Sequence, residues 1–196
     1  VRVYMYYTLF HDLGIIVRIQ KIENFGNHKV SITNAKSLSV DLPAKEYDFL
    51  SLYGTHTREA NIDRFRLHRG IQKIESARGT SSPQHQPFFA LLSPNTSQEM
   101  GEVYAFHLIY SGCFVGEVEK DQFGNIRAQL GLNPTHFTWL LSSGETFETP
   151  EVVLNYSTDG LNGMSYNFHK LYKNHLVPQR FMMQERPILL NSWESM

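Results

Sequence analysis

The fold is decided by residues 103–132, which read VYAFHLIYSGCFVGEVEKDQFGNIRAQLGL. Apolar and polar residues alternate along this stretch, which places successive side chains on opposite faces of a strand. Two turn signals interrupt the alternation, Ser111-Gly112-Cys113 and Asp121-Gln-Phe-Gly124-Asn125. Glycine and asparagine tolerate positive φ angles and are typical of hairpin turns. The stretch therefore predicts three consecutive strands joined by short connections.

The same alternation extends from residue 1 to about residue 156. Further strands are predicted at 1–10, 15–23, 30–42, 47–53, 71–74, 136–140 and 147–156. Turn signals recur roughly every 8–12 residues, a spacing typical of a sandwich or barrel. The sequence thus predicts an all-β fold of antiparallel sheets.

One segment, residues 160–176, has the 3.6-residue period of an amphipathic helix. Its apolar positions are Leu161, Met164, Phe168, Leu171 and Tyr172. Asp159 or Ser157 can cap its start, and Val177-Pro178 ends it. The chain begins within a predicted strand and stops just after the apolar run 188–190, so we expect a piece of a longer protein.

The composition excludes several classes of protein. The 196 residues carry 18 Lys+Arg and 19 Asp+Glu, a formal charge of −1, whereas nucleic-acid binding needs a basic surplus. A hydrophobic fraction of 41% argues against disorder. The single cysteine, Cys113, excludes an internal disulfide and a cysteine-based metal cage, and it suits a reducing compartment. The longest apolar run, residues 88–92, is far shorter than the roughly 20 residues that span a bilayer.

Catalytic and metal-binding patterns are weak in this sequence. The 9 histidines are scattered, and none has a spacing typical of metal ligands. The carboxylates of Glu117, Glu119 and Asp121 alternate on one strand face, at a separation of roughly 6.5–7 Å that suits glycoside hydrolysis. The adjoining hairpin favours a solvated strand end instead. We predict no metal and no cofactor.

Two loop-like stretches are richer in polar residues than a sandwich needs. The first covers residues 53–59 and resumes at 64–66, and the second covers 78–87. Both combine arginine, histidine and small hydroxyl residues. Such residues can hydrogen-bond sugar hydroxyls or the backbone of a neighbouring domain, and the residue chemistry alone favours the structural role.

The second stretch, Arg-Gly-Thr-Ser-Ser-Pro-Gln-His-Gln-Pro-Phe at 78–88, resembles a signature of glycoside hydrolase family 36 α-galactosidases. Similar motifs follow the family order along essentially the whole chain, at 39–43, 47–48, 101–106, 110–112, 147–151, 156–157, 160–165 and 186–194. Three positions depart from the family pattern. Pro83 stands where histidine is usual, Gln86 where asparagine is common, and His56 where tryptophan is often found.

The resemblance implies a β-supersandwich of the galactose mutarotase-like type with one C-terminal linking helix. We accordingly assign 1–157 to the supersandwich, 158–185 to the linking helix and connector, and 186–196 to the start of a catalytic (β/α)8 barrel, with its first strand at 188–193. The family acts on terminal α-galactosides by a retaining mechanism that uses two aspartates on later barrel strands. Neither aspartate motif is present here, so the chain alone should be inactive.

The resemblance also suggests site residues, partners and a location. Trp193, at the end of the expected barrel strand, is the candidate for substrate binding, with packing at a domain interface as the alternative. Arg58, Glu59, Arg78 and His85 are candidates for an interface or a sugar-proximal surface. We expect α-galactoside oligosaccharides as substrates of the intact enzyme, a homo-oligomer, no nucleic-acid or membrane partner, and a cytoplasmic location. A free-standing carbohydrate-binding sandwich and a purely oligomerising module are the alternatives.

Overall fold

A computed structural model describes residues 1–194 of the chain. Fourteen strands account for most of the first 157 residues. They are β1 (Arg2–Phe10), β2 (Ile15–Glu23), β3 (Val30–Ile32), β4 (Lys36–Leu42), β5 (Asp48–Thr55), β6 (Arg58–Arg66), β7 (Gly70–Ser76), β8 (His85–Leu92), β9 (Val103–Leu108), β10 (Phe114–Lys120), β11 (Ile126–Leu132), β12 (Trp139–Leu141), β13 (Thr146–Glu148) and β14 (Val152–Ser157). A helix, α1 (Gly160–Leu171), follows them and continues as one π-helical turn, Tyr172–Leu176. A short helix, α2 (Gln179–Met182), and two 3-10 turns, His11–Leu13 and Ser192–Glu194, complete the described elements.

The strands form two main antiparallel sheets. The larger sheet has eight strands in the order β1-β2-β14-β9-β8-β5-β6, with β13 also paired to β2. The smaller sheet has the order β4-β11-β10-β7, and β12 and β3 form a separate pair. The predicted all-β supersandwich with one C-terminal helix is therefore confirmed.

Both faces of the large sheet are covered at its centre, and β8 shows this best. Phe89 and Leu91 face the small sheet, where they join Phe106 and Phe114 in the main core. The intervening residue Ala90 faces the other way and packs with Leu92 and residues of α1. Two-sided burial explains why residues 88–92 form an uninterrupted apolar run rather than an alternating one.

Helix α1 packs on the outer face of the large sheet through its apolar stripe. Met164, Phe168 and Leu171 are buried there, as the 3.6-residue period predicts. Its start has no side-chain cap, in contrast to the predicted one. Instead the backbone N–H groups of Gly160, Leu161 and Asn162 donate to carbonyl oxygens of Gly101, Ser97 and Gln98 at 2.9–3.1 Å. The loop 93–102 therefore holds the beginning of the helix.

Arg64 ties the edge strand β6 to that loop, and Asp48 on β5 holds it in position. The Asp48 carboxylate accepts hydrogen bonds from Arg64 Nε at 2.9 Å and Arg66 Nε at 2.7 Å. Arg64 also donates to the carbonyl oxygens of Thr96 and Pro94. Burial by itself raises the pKa of Asp48, but the hydrogen bonds from Arg66 and Arg64 outweigh it and hold that pKa below its usual value.

Two of the predicted strands are each divided in the structure. The long strand expected at 30–42 is two strands with different partners: β3 pairs with β12, whereas β4 pairs with β11. The strand expected at 147–156 is interrupted between β13 and β14, although both of them pair with β2. Alternation identifies extended chain, but it does not show where a strand changes its partner or leaves the sheet.

The barrel strand expected at 188–193 is not formed within the described residues. Ile188, Leu189 and Leu190 belong to no helix or strand and are more than 80% exposed, and the Ser192–Glu194 turn follows. A barrel strand needs parallel neighbours on both sides, and the described chain supplies none there. Residues 195 and 196 of the assigned segment 186–196 lie outside the described residues, and the domain division stays a prediction.

Candidate functional site

The tight turn between β5 and β6 carries the first candidate arginine. The pairing register of β5 with β6 shifts between Tyr53 and Thr55, and Thr57 adopts a left-handed φ of 66°. A Cβ atom on Gly54 would lie 2.5 Å from the carbonyl oxygen of Arg58. Only glycine allows this approach, because real Cβ contacts are never so short. Gly54 therefore determines where the hairpin turns and where Arg58 projects.

The first polar stretch is a hairpin rather than the loop predicted from its composition. Residues 58–66 form β6, the outermost strand of the large sheet, and most of its side chains are exposed. An edge strand exposed on both faces has no reason to alternate apolar and polar residues. Glu59 is used locally, because its Oε1 accepts the backbone N–H of Thr57 at 2.9 Å.

The second polar stretch is a loop up to residue 84, and hydrogen bonds connect it to the turn at 111–113. Ser76 Oγ donates to the carbonyl of Thr80 at 2.6 Å, and the N–H of Ser81 donates to the carbonyl of Ser111 at 2.7 Å. The N–H of Gly79 contacts Cys113 Sγ at 3.1 Å. The loop that carries Arg78 is thus held by backbone contacts.

The two polar stretches meet at one end of the large sheet, because β5 pairs with β6 on one side and with β8 on the other. The N–H of Gly54 donates to the carbonyl of Gln84 at 3.3 Å, and Tyr53 lies opposite His85. A cavity of about 450 Å³ opens between them. Its lining residues are Gly54, Thr55, His56, Arg78, Ser82, Pro83 and Gln84. We call this region the polar end.

The polar end offers unpaired polar groups. The guanidinium groups of Arg58 and Arg78 have no hydrogen-bond or ion-pair partner among residues 1–194. His85 Nδ1 is buried without a hydrogen-bond partner. Burial lowers the pKa of His85, opposed by the charges of Asp63 and Glu75, which favours the neutral ring. These groups can bind a carboxylate, a carbonyl or sugar hydroxyls supplied from outside the chain.

Trp193 is not brought to the polar end. It lies in the Ser192–Glu194 turn, it is 86% exposed, and its backbone N–H bonds to Asn191 Oδ1 at 3.1 Å. The structure thus brings Arg78 and the turn before Arg58 together at one cavity, with His85 alongside, and leaves Trp193 apart. Its role in substrate binding stays a prediction.

Two of the three alternating carboxylates, Glu117 on β10 and Asp121 in the turn after it, make structural contacts. Glu117 Oε1 lies 3.4 Å from Lys36 Nζ. Asp121 Oδ1 accepts the backbone N–H groups of Phe123 and Asn125, both at 2.8 Å, and so closes the hairpin turn. The part of the chain that the structure describes contains no cluster of three or more potential metal ligands and no helix able to cross a membrane.

A second concave region was missed from the sequence. It lies between α1 and the large sheet and includes Gln86 and His107. Burial lowers the pKa of His107 to about 4, and its Nδ1 is paired with the hydroxyl of Tyr172. The position of His107 in an alternating strand does not indicate that a helix will cover it. This concave region therefore could not be predicted from the sequence and is visible only in the fold.

Together, the fold and the polar end define a two-layer antiparallel β-sandwich domain that presents unpaired arginines at one end of its sheets. The model of the glycosyl hydrolase family 36 N-terminal domain matches residues 1–142, and the melibiase model matches residues 146–196. The chain belongs to glycosyl hydrolase family 36.

Relatives of this chain are named α-galactosidases. α-Galactosidase AgaA from Geobacillus stearothermophilus is 47% identical over 189 residues, which is 96% of this chain and 26% of that protein. A crystal structure of an AgaA variant in complex with stachyose superposes with a TM-score of 0.94 at 46% identity, covering 98% of this chain and 27% of the other. Another variant, in complex with raffinose, gives a TM-score of 0.95 with the same identity and coverage. The chain spans about a quarter of the length of these relatives and corresponds to their N-terminal part.

Proposed function

We propose that the chain is the non-catalytic N-terminal domain of an enzyme that hydrolyses terminal α-galactosyl residues of melibiose- and raffinose-type sugars. The observation that carries this proposal is the 47% identity to AgaA across 96% of the chain. The stachyose and raffinose complexes of AgaA variants support α-galactosides as the substrate class. The proposed location is the cytoplasm, in keeping with a single half-buried cysteine.

The chemistry is assigned to a barrel outside this chain. Retaining glycosidases use two carboxyl groups about 5–5.5 Å apart, one as nucleophile and one as acid/base. Glu117 and Asp121 already bind Lys36 and a hairpin backbone, which favours a structural role for both. The chain would instead support the barrel through α1 and the connector after it, and Trp193 would reach the sugar at the barrel mouth.

The polar end has a proposed role in contacts with a neighbouring subunit or with bound sugar. Arg58 and Arg78 support this role because they bear charges that no described group neutralises. An arginine fork binds carboxylates and carbonyl oxygens with well-defined geometry. Such contacts would promote the assembly of a homo-oligomer.

A chimeric enzyme tests the catalytic part of the proposal. This chain replaces the corresponding quarter of AgaA, and galactose release from raffinose is measured for the chimera and for the chain alone. We expect the chimera to release galactose and the isolated chain to release none. Hydrolysis by the isolated chain, or a folded chimera without activity, would contradict the proposal.

Substitutions in the same chimera test the polar end. Arg58→Ala with Arg78→Ala should either raise KM for raffinose or shift the assembly to smaller species in sedimentation velocity. Arg69→Ala is the matched control, because Arg69 lies beyond the opposite end of β6 and is exposed. If both the KM for raffinose and the assembly were unchanged in the double variant, the polar end would contact neither sugar nor a neighbouring subunit.

A further inference from the structure

The cleft between α1 and the large sheet has the size of a small-molecule site. Its volume is about 630 Å³, within the range of roughly 300–1,000 Å³ that ligand pockets occupy. Leu50, Leu52 and Phe88 form its floor on the sheet, and Met164 and Phe168 form the helical wall. The cleft thus offers apolar surface on two sides.

Free hydrogen-bonding groups line the same cleft. The side-chain amides of Gln86 and Gln98 have no hydrogen-bond partner among residues 1–194. The Nδ1 atom of His107 is paired with the Tyr172 hydroxyl, which leaves its Nε2 atom as the ring nitrogen available to a ligand. An amide offers both donors and acceptors, so these groups match a ligand that carries hydroxyls.

The cleft has no carboxylate, lysine or arginine that could act as counterion for a charged ligand; the ionisable side chains in its lining are His107, His169 and Tyr172. A phosphate or carboxylate placed there would lose water without gaining a partner charge, which is costly. An entirely apolar segment would instead cover the half-buried amide of Gln86 without pairing it, at a cost of about 1–3 kcal/mol.

We propose that this cleft binds a neutral saccharide. A sugar ring has an apolar face for Leu52 and Phe88 and a rim of hydroxyls for Gln86 and Gln98. The cleft shares no lining residue with the cavity of the polar end, and the proposal concerns this chain alone, so it goes beyond the proposed function. The choice of raffinose as a probe rests on the proposed function. The choice of sucrose does not, because sucrose is a neutral sugar without galactose.

An NMR titration of the 196-residue chain tests the proposal. Raffinose and sucrose are added to the methyl-labelled chain, and we expect saturating shifts at Leu50, Leu52 and Met164 for at least one of them. Glucose should bind more tightly than glucose 6-phosphate at pH about 8, because no lysine or arginine lines the cleft to pair with the phosphate.

Matched variants localise the binding. Gln86→Leu should weaken it about tenfold, the equivalent of one lost hydrogen bond of about 1.4 kcal/mol. Ile62→Arg should abolish it, because Ile62 is 60% exposed and lines the cleft, so the fold accepts the change. Gln129→Leu, on the small sheet, should bind as the unmodified chain does.

Three results would overturn the proposal. One is the absence of saturable shifts at the cleft methyls with a well-dispersed spectrum. Another is tighter binding of glucose 6-phosphate than of glucose. The third is loss of self-association in Ile62→Arg with no saccharide bound, which would make the cleft an interface between copies. Galactose release by the chimera does not depend on this cleft, so the two proposals fail separately.

Discussion

At the residue scale, His107 shows how burial changes the chemistry of a common side chain. It lies on β9 beneath α1, where its ring packs against Phe168 and Tyr172 at centroid distances of 6.4 and 5.5 Å. Desolvation lowers its pKa from 6.5 to about 4, so the folded chain carries the ring neutral. The unfolded chain takes up the same proton near pH 6.5.

This difference predicts a loss of stability in mild acid. Between pH 6.5 and about 4 the unfolded state binds more protons, so the free energy of unfolding falls as the pH drops through that window. The fall in stability due to His107 amounts to about 3 kcal/mol in total, of which about 2 kcal/mol is already lost at pH about 5. Urea unfolding at pH about 7, 6 and 5 measures the slope.

His107→Gln is the matched variant, because an amide can still bond the Tyr172 hydroxyl. It should have a shallower dependence on pH than the unmodified chain. A residual slope is expected from His85, whose pKa burial also lowers. An unchanged slope in His107→Gln would show that this ring is not the titrating group.

At the element scale, the sequence predicted best where one face of an element determines its residues. Helix α1 was found because Met164, Phe168 and Leu171 all bury the same stripe against the sheet. The edge strand β6 was missed because its exposed faces leave its composition unconstrained. For the polar end, the sequence predicted the residue types but not their proximity. Arg58 and Arg78 are 20 positions apart, and their segments come together because β5 pairs with both β6 and β8. That pairing is a long-range property that local alternation does not encode.

The start of α1 leads to a prediction about Gly160. Its φ is +64°, and a Cβ there would lie 2.6 Å from Met100 N and Ser97 O. Gly160→Ala should therefore combine backbone strain with a clash against the loop that holds the helix, and should cost well over 2 kcal/mol. Gly124→Ala is the control, because Gly124 has a φ of +89° but nothing within 4 Å of its Cβ position. It should cost only about 1–2 kcal/mol.

Thermal and urea unfolding of the two alanine variants measure the difference. Amide exchange then shows where it acts, since Gly160→Ala should increase exchange in α1 more than in the sheets. Equal destabilisation by the two substitutions would mean that loop 93–102 yields to the new side chain and does not fix the helix.

At the scale of the whole molecule, the two sheets differ in width. Arg18 of β2 bonds to the carbonyl of Ser39 on β4, the outermost strand of the small sheet. β1 therefore lies beyond the edge of the small sheet, and its face on that side is uncovered. Val3, Met5, Tyr7 and Leu9 lie on that face and are all more than 50% exposed.

An apolar edge strand predicts association. β1 has a free hydrogen-bonding edge and an uncovered apolar face, the two features that favour strand addition. We expect the 196-residue chain to self-associate with increasing concentration in sedimentation velocity.

Met5→Lys with Leu9→Lys should keep it monomeric, because two desolvated ammonium groups cannot be buried against a partner. Phe123→Lys is the control, since Phe123 is 80% exposed in the hairpin turn after β10 and should not affect association. A monomeric unmodified chain, or equal association in the double variant, would show that β1 is not the contact surface of the 196-residue chain.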